Sequence, residues 1–260
     1  MPRGDVMPGS GQAFSWPYGR RAALSISFDD ARPSQIDNGV EILARYGLTG
    51  TCYVLPEMVR SRLGDWKRVA AAGHEIGNHT VSHPCSGNFA FSRRNPLEQY
   101  TLERMERDEL LAGNDAIEEL LGVRPRTFAY PCAQRFVGAG EQTRSYVPLV
   151  ARHFTVGRGG FDETPNDPTI CDLAQVTSLD MDGASTQQLR SLVRWALAEG
   201  RWLVLAGHDV GEFERQAVPP DSLDALCRYA RELEAELWVD TVITIGSFLA
   251  ESRRAGAPPA

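Results

Sequence analysis

Short apolar runs alternate with longer amphipathic stretches from Arg21 onward, a pattern typical of repeated strand–helix units. The runs predict strands over 22–28, 51–55, 75–78, 127–130, 153–157, 175–181, 202–207 and 240–245. Between them, the spacing of apolar residues predicts helices over 36–47, 96–121, 186–200 and 222–237. Seven or eight such units predict an α/β fold, namely a single-domain, distorted parallel (β/α)7-8 barrel. An open doubly wound sheet is the alternative.

The chain divides by composition into three parts. Residues 1–20 are rich in Gly, Pro and Ser and are expected to form an extended N-terminal arm. The barrel domain is predicted to span 21–250, and 251–260 is expected to be a disordered tail.

Composition and charge narrow the function classes. Hydrophobic residues make up 42% of the chain and charged residues 23%, as in an ordinary globular protein. The net charge of −7 argues against nucleic acid as a partner, because phosphate binding needs clustered Lys and Arg. No stretch approaches the roughly 18 apolar residues of a membrane span, so no membrane association is expected. The segment after the first strand, SISFDDARPS, has no glycine, which argues against a dinucleotide site.

The cysteines and the N-terminus bear on the compartment. Cys52, Cys85, Cys132, Cys171 and Cys227 are odd in number and contain no CxxC pair, which favours reduced, mostly buried thiols. The first residues have no apolar segment like that of a secretory leader. A cytoplasmic location is therefore expected, or a secreted or cell-wall location if a leader has been removed.

Ionisable side chains follow several predicted strands, where functional residues of parallel barrels gather. Asp29 and Asp30 come directly after the first strand, and His79 and His83 follow the third. Adjacent residues of an extended segment point in different directions, so one carboxylate can bind a metal while the other faces a substrate. Two imidazoles and one carboxylate are a suitable catalytic ligand set for a divalent ion.

A further histidine follows the apolar run WLVLAG. His208 is a candidate general acid, because imidazole titrates near neutral pH. Asp182 could hold this imidazole and raise its pKa. Asp180 has the same strand parity and is the alternative.

Four segments in order, SFDD, GNHTVSHP, FAYPCA and LAGHDV, resemble the polysaccharide deacetylase family, also called carbohydrate esterase family 4. The resemblance covers about residues 21 to 247, and GNHTVSHP is its most specific element. It implies a distorted parallel barrel that removes acetyl groups from carbohydrate polymers with one divalent ion. Zn²⁺ is expected, with Co²⁺, Ni²⁺ or Mn²⁺ as alternatives.

Residue by residue, the resemblance implies that Asp29 is the general base. Asp30 would bind the metal together with His79 and His83. His208 matches the general acid of the family.

The resemblance also implies an oxyanion site. The backbone NH of Cys132, after Tyr130 and Pro131, would lie in the oxyanion hole. Asp182 matches the acidic residue that orients the acid histidine.

The sequence departs from the family at two positions of this region that involve a charged residue, and Ala133 also stands where Gly is usual. Many members have Arg where this chain has Ala129, and that Arg contacts the catalytic base. Arg135 and Arg158 are candidates for a replacement donor. Asp209, after His208, stands where a small polar residue is commoner.

The predicted function is a metal-dependent deacetylase acting on an N-acetylated carbohydrate, with Asp29 as base and His208 as acid. Alternatives are an O-acetyl carbohydrate esterase of the xylan type, a hydrolase of small non-sugar amides, and a catalytically silent carbohydrate-binding barrel. A carbohydrate substrate is the only partner expected, and the sequence indicates no oligomeric state.

Overall fold

The computed structural model describes residues 14–212 and 216–256. Their strands are β1 (Ala22–Asp29), β2 (Thr51–Val54), β3 (Glu75–Asn78), β4 (Thr127–Ala129), β5 (Phe136–Val137), β6 (Arg144–Ser145), β7 (Val156–Arg158), β8 (Leu179–Asp180), β9 (Trp202–Gly207), β10 (Asp209–Val210), β11 (Ala217–Val218) and β12 (Leu237–Val239). The α-helices are α1 (Glu41–Arg45), α2 (Pro56–Ser61), α3 (Leu63–Ala71), α4 (Leu102–Arg104), α5 (Ala112–Leu121), α6 (Val147–His153), α7 (Thr186–Glu199), α8 (Pro220–Glu232) and α9 (Val242–Gly256). Two π-helical segments, Gln35–Val40 and Met105–Leu111, lead into α1 and α5.

A parallel sheet with strand order β7-β4-β3-β2-β1-β9-β8 forms the body of the molecule. The start of β1 also pairs with β12, whereas its end pairs with β2. An isolated parallel bridge between Arg158 and Val176 links β7 to the segment that leads into β8. The ring of strands is thereby closed irregularly, so the predicted distorted parallel barrel is confirmed and the open doubly wound sheet is wrong.

The central strand β1 is buried along all eight residues, because neighbouring strands flank it and both of its faces are covered. A largely apolar sequence meets this requirement, as is usual for parallel strands. The two serines in it are satisfied by hydrogen bonds. Ser27 Oγ donates to the carbonyl of Leu205 at 2.8 Å, and Ser25 Oγ accepts from Trp202 Nε1 at 3.1 Å.

The strand predicted over 240–245 is wrong, because α9 begins at Val242 and the strand ends earlier, in β12. The β-branched residues here favoured a strand. Tertiary packing overrides that preference: Val242, Ile245 and Leu249 recur at helical spacing and are fully buried.

Both terminal expectations need correction. Residues 251–256 belong to α9 rather than to a disordered tail, and the side chain of Arg253 donates to the carbonyls of Pro168 and Cys171. Residues 257–260 lie outside the described residues. At the other end, residues 14–20 pack on the barrel instead of extending from it, because Trp16 is buried and its Nε1 donates to the carbonyl of Gly200 at 3.0 Å. The rest of the predicted arm, 1–13, also lies outside the described residues.

No helix of the described ranges has both the length and the apolar character required to cross a membrane.

Candidate active site

The predicted site residues converge on one cavity of about 530 Å³ at the carboxyl ends of the strands. Parallel strands direct their carboxyl ends to the same side of a barrel, so residues far apart in sequence meet there. Seven of the nine predicted site residues line the cavity, namely Asp29, Asp30, His79, His83, Tyr130, Cys132 and His208. The alternatives Arg158 and Asp180 also line it, whereas Asp182 and Pro131 do not. The predicted site is therefore assembled around one open cavity.

Asp30, His79 and His83 form a cluster that fits a cation. Asp30 Oδ1 lies 3.5 Å from His79 Nε2 and 3.5 Å from His83 Nε2. This buried oxygen has no hydrogen-bond partner among the described residues. His79 Nδ1 donates to the carbonyl of Ala129 at 2.9 Å, so a neutral His79 presents an Nε2 lone pair to the cluster. Oxygen and nitrogen lone pairs that face one another without a proton donor between them suit a divalent ion.

The protonation states of this cluster also suit a cation. Burial, and then the neighbouring His79, lower the pKa of His83 to about 4, so its imidazole is neutral at pH 7. Burial alone raises the pKa of the Asp30 carboxyl, but hydrogen bonding and positive charge from its imidazole neighbours, when one of them is protonated, outweigh burial and hold that pKa well below the usual range. A neutral imidazole and an ionised carboxylate are the forms that bind metals.

A tight turn brings the two histidines together. Thr80 and His83 have left-handed φ values of 71° and 50°. Asn78 Oδ1 accepts from the backbone NH of Thr80 at 2.6 Å, and Thr80 Oγ1 accepts from that of His83 at 3.0 Å. Side chains within the segment NHTVSH therefore stabilise the turn by hydrogen bonds to its own backbone. His79 and His83, four residues apart, come together in this turn and not on one face of a helix.

A buried carboxylate that sequence reasoning missed supports the same turn. Glu109, from the π-helical segment before α5, accepts from the backbone NH groups of Val81 and Ser82 at 3.0 and 2.9 Å. It also accepts from Ser82 Oγ at 2.6 Å and from Tyr100 OH at 2.7 Å. Glu109 stands in a run of charged residues, MERDEL, and nothing in that run distinguishes it from its solvated neighbours.

Arg158 supplies the arginine that the sequence lacks at Ala129. Its Nη2 donates to both carboxylate oxygens of Asp29, at 2.6 and 2.5 Å, and the side chain is 3% exposed. Arg158 and Ala129 are directly paired in register on the adjacent strands β7 and β4. The guanidinium therefore approaches the same carboxylate from the neighbouring strand. Arg135, the other candidate, lies instead near Asp162, at 3.9 Å.

The ion pair determines the charge state of Asp29. Burial alone raises the pKa of this carboxyl, but the charge of Arg158 is the largest opposing effect, and the pKa is lowered. Asp29 is therefore an ionised carboxylate in a buried position. An ionised carboxylate is the form that a general base requires.

The second departure, Asp209 after His208, also has a structural explanation. Arg32 Nη1 donates to Asp209 Oδ2 at 2.7 Å, and Arg32 Nη2 donates to Asp30 Oδ2 at 2.9 Å. Asp209 therefore anchors the arginine that holds one oxygen of Asp30, which leaves the other oxygen directed at the histidines.

Asp182, not Asp180, contacts the candidate acid. Asp182 Oδ2 lies 2.6 Å from His208 Nδ1, and Asp182 Oδ1 accepts from the backbone NH of His208 at 3.0 Å. Burial alone lowers the pKa of His208, but the hydrogen bond with Asp182 and the charge of Asp29 outweigh it and raise that pKa. Asp180 accepts from the backbone NH of Asp182 at 2.9 Å and so stabilises the loop.

The predicted oxyanion segment forms a short turn after β4. Pro131–Ala133 is a single 3₁₀ turn in which Cys132 has a φ of 51° and a ψ of 24°. Tyr130 is buried, and its hydroxyl donates to the carbonyl of Ala174 at 2.6 Å. Cys132 and Tyr130 line the cavity, whereas Pro131 is buried behind it. The role of the Cys132 NH remains a prediction.

The expectation of reduced thiols throughout is wrong, because Cys85 and Cys132 form a disulfide. They are 47 residues apart in sequence, and the pairing depends on how the loops after β3 and β4 meet. Cys52, Cys171 and Cys227 are free thiols.

Apolar side chains that the sequence did not indicate as functional form much of the cavity wall. They are Leu55, Met58, Phe89, Phe91 and Phe161. Phe91 and Phe161 are 65% and 69% exposed, so their rings are available to a ligand. Phe91 lies beside the metal cluster, with its ring centroid 5.8 Å from that of His83.

The closed parallel barrel and the carboxylate–imidazole cluster at its strand ends place this chain in the class of barrel proteins related to carbohydrate deacetylases. Residues 12–145, just over half of the chain, match the family model described as polysaccharide deacetylase. The chain belongs to this family.

Curated relatives match over limited segments. A peptidoglycan-N-acetylglucosamine deacetylase of Bacillus cereus is 36% identical over 73 residues, which are 28% of this chain and 26% of that protein. A gellan lyase of a Bacillus species is 27% identical over 150 residues, which are 57% of this chain and 5% of that protein. The chain thus aligns with only a small part of the length of these relatives.

Solved structures share the fold over nearly the whole chain. A putative polysaccharide deacetylase from Mycobacterium smegmatis superposes with a TM-score of 0.69 at 16% identity, over 94% of this chain and 95% of that one. An acetyl xylan esterase from Clostridium thermocellum, solved with a cobalt ion, has a TM-score of 0.54 at 17% identity over 87% and 91%. A family pseudoenzyme from Bacillus anthracis has a TM-score of 0.54 at 14% identity over 87% and 66%. At these identities the likeness shows the fold alone.

Proposed function

We propose that this protein is a metal-dependent hydrolase that removes the acetyl group from an N-acetylated carbohydrate. One observation carries the proposal: the buried, unpartnered Asp30 Oδ1 faces Nε2 of both His79 and His83, in a cavity that Asp29 and His208 also line. Two imidazoles and one carboxylate leave coordination positions for water and substrate, and they suit Zn²⁺ first, then Co²⁺, Ni²⁺ or Mn²⁺.

The side chains divide the reaction among them. A divalent ion bound there supplies Lewis acidity to the acetyl carbonyl and lowers the pKa of water. Asp29, kept ionised by Arg158, accepts the proton of the attacking water. His208, held through Nδ1 by Asp182, donates a proton to the departing nitrogen. The backbone NH of Cys132 donates to the developing oxyanion.

The cavity lining supports a carbohydrate substrate. The rings of Phe91 and Phe161 offer apolar faces to the C–H face of a pyranose, and the nearby side chains of Arg32, Asp180 and Gln216 offer polar partners to hydroxyl groups. The amino-sugar substrate named for the Bacillus cereus relative favours an N-acetyl over an O-acetyl group.

An O-acetyl esterase would use the same residues, because the attacked carbonyl is alike and only the leaving group differs. The catalytically silent barrel is the other alternative, since the family contains a pseudoenzyme. The intact set of Asp29, Asp30, His79, His83 and His208 argues against it.

Acetate release by Zn²⁺-loaded protein tests the proposal. We expect release from N-acetylated chitooligosaccharides, and slower or no release from O-acetylated xylan and aryl acetates. The preference would reverse for an O-acetyl esterase. Stoichiometric metal binding without acetate release from any of the three would favour the silent barrel.

Replacing His79 with alanine is expected to abolish both metal binding and turnover, because one of three ligands is lost. The affinity for Co²⁺, followed by its visible absorption, should fall by more than about 100-fold, exceeding the loss typical of changes around the ligands. His153→Ala is the matched control, since His153 pairs with Glu106 away from the cavity. Undiminished Co²⁺ binding by His79→Ala would contradict the ligand assignment.

Replacing Asp182 with asparagine is expected to move the alkaline limb of the pH–kcat profile to lower pH. In the native protein Asp182 helps raise the pKa of His208, so the protonated acid persists to higher pH. Removing the negative charge lowers that pKa, and the acid form is lost earlier as pH rises. kcat at pH 8 should also fall, by up to about 10⁴-fold, as for the aspartate that orients the histidine of a catalytic triad. Asp115→Asn, at an exposed ion pair with Arg124, is the control, and an equal shift in both variants would contradict the assignment.

A further inference from the structure

The Cys85–Cys132 disulfide joins the two loops that carry the proposed chemistry. Cys85 lies two residues after the proposed metal ligand His83, in the loop that follows β3. Cys132 lies in the turn after β4 and is the residue whose NH is assigned to the oxyanion. The Cα atoms are 6.3 Å apart, within the range of native disulfides.

Both loops are held in a backbone conformation that side chains disfavour. Eight described residues other than glycine have a positive φ, and seven of them lie in loops around the cavity. These seven are Asp30, Ala31, Thr80, His83, Cys132, Ala133 and Phe161. Left-handed residues of this kind persist only where the surrounding structure enforces them. His83 and Cys132 are therefore positions that require an external constraint.

The two sulfurs have different surroundings. Cys85 is fully buried, and Ser92 Oγ binds both its backbone NH and its carbonyl, at 2.8 Å each. Cys85 Sγ also lies 3.7 Å from His83 Nδ1. Cys132 lines the cavity and is partly exposed. Hydrogen bonds therefore hold the Cys85 end of the disulfide in place, in the loop of His83. Small molecules can reach the other end, the sulfur of Cys132, through the cavity.

We propose that the Cys85–Cys132 disulfide is a positioning element of the active site, and that hydrolysis requires its oxidised form. This inference rests on the proposed function. The bond ties the turn of Cys132 to the loop of His83 and keeps the oxyanion NH and the metal ligand at a set separation. Opening it lets both left-handed residues relax, and a displacement of about 1 Å costs up to 100-fold in rate in comparable sites.

Reduction follows ordinary thiol–disulfide exchange with a small dithiol. One thiolate of the dithiol attacks the sulfur of Cys132, which the cavity exposes, and Cys85 leaves as a thiolate that takes up a proton. The second thiol of the reductant then displaces Cys132 and closes the reductant's own disulfide. Two electrons pass from the dithiol to the protein, which gains two thiols. The site would accordingly be active in an oxidising compartment and inactive where thiols are kept reduced.

The first experiment counts thiols and measures turnover in the two forms of the native protein. Under denaturing conditions we expect three reactive thiols in the oxidised form, from Cys52, Cys171 and Cys227, and five after reduction. Reduction is expected to lower kcat by at least about tenfold, with KM changed less than about twofold, because the oxyanion contact acts mainly in the transition state. Reoxidation with a small disulfide should restore kcat. Five thiols in the protein as isolated from an oxidising compartment, or unchanged kcat after full reduction, would overturn the proposal.

Serine variants of the cysteines separate a positioning role of the disulfide from a general effect on protein stability. Cys132→Ser and Cys85→Ser should each reproduce the kcat of the reduced form and no longer respond to dithiol, whereas Cys171→Ser should respond as the native protein does. If a variant does not fold, reversible reduction of the native protein still tests the positioning role. Far-UV circular dichroism then shows whether the reduced protein stays folded. Loss of kcat that only parallels global unfolding would assign the bond a purely structural role and overturn the proposal.

The proposed hydrolysis and the positioning role can fail independently. If the oxidised protein releases acetate from no substrate, the Co²⁺ spectrum and affinity of the cluster formed by Asp30, His79 and His83 provide the readout. A changed spectrum and at least about tenfold weaker binding after reduction would then support the positioning of His83, since perturbing groups around metal ligands costs this much. An unchanged spectrum and affinity would overturn it. Acetate release at the same rate in the oxidised and reduced forms would support the proposed hydrolase function and refute only the proposed role of the disulfide.

Discussion

Replacing Asp29 with asparagine is expected to lower kcat by about 10²- to 10⁴-fold, the contribution typical of a general base, while a divalent ion stays bound. The amide is nearly isosteric with the carboxylate, but it cannot take the proton from the attacking water. The cation cluster is built from Asp30 and two histidines, so it keeps all of its ligand atoms. Steady-state acetate release and Co²⁺ titration of the same sample provide the two measurements.

The control for Asp29→Asn is the corresponding change at Asp30. Asp30→Asn removes the ligand charge, so Co²⁺ affinity and turnover should fall together. If Asp29→Asn instead lost the metal while Asp30→Asn kept it, the roles of the two carboxylates would be reversed.

Replacing Arg158 with methionine is expected to lower the free energy of unfolding by about 3–5 kcal/mol, because a buried carboxylate loses its partner. The Asp29 and Arg158 side chains are only 10% and 3% exposed, so water replaces the lost hydrogen bonds only in part. Turnover should fall as well, since the pKa of Asp29 rises once burial is no longer opposed by the guanidinium. Urea unfolding and acetate release measure the two effects. Arg152→Met, at an exposed ion pair with Glu106, is the control and should change little.

The register of β4 and β7 permits a stricter test of Arg158. Ala129 and Arg158 are paired positions, so the double variant Ala129→Arg/Arg158→Ala moves the guanidinium to the strand where many family members carry it. We expect the exchange to recover part of the turnover and stability that Arg158→Ala loses. No recovery, together with full activity of Arg158→Met, would show that Asp29 needs no arginine.

The sequence predicted most of the site because its ionisable residues follow strands that local patterns reveal. Asp29 and Asp30 follow an apolar run, His79 and His83 follow EIGN, and His208 ends WLVLAG. In a parallel barrel these ends must share one rim, so their convergence follows from the fold class. Their catalytic roles remain predictions.

Predictions from local sequence patterns were wrong where tertiary packing overrode the local preference for a strand or for solvent exposure. The run VITI reads as a strand but begins α9, since its buried residues satisfy a helical repeat as well as a strand alternation. Glu109 reads as a solvated helix residue but is 3% exposed beneath the loop of the two histidines.

The sequence by itself determined the barrel class and the strands that carry charged ends, because periodicity is local. Only the tertiary structure decided the pairings between distant segments. Arg158 meets Asp29 across 129 positions, Cys85 meets Cys132 across 47, and Asp182 rather than Asp180 meets His208 across 26. Each pairing depends on which strands are neighbours and on how their loops come together, and no short-range pattern in the chain encodes that arrangement.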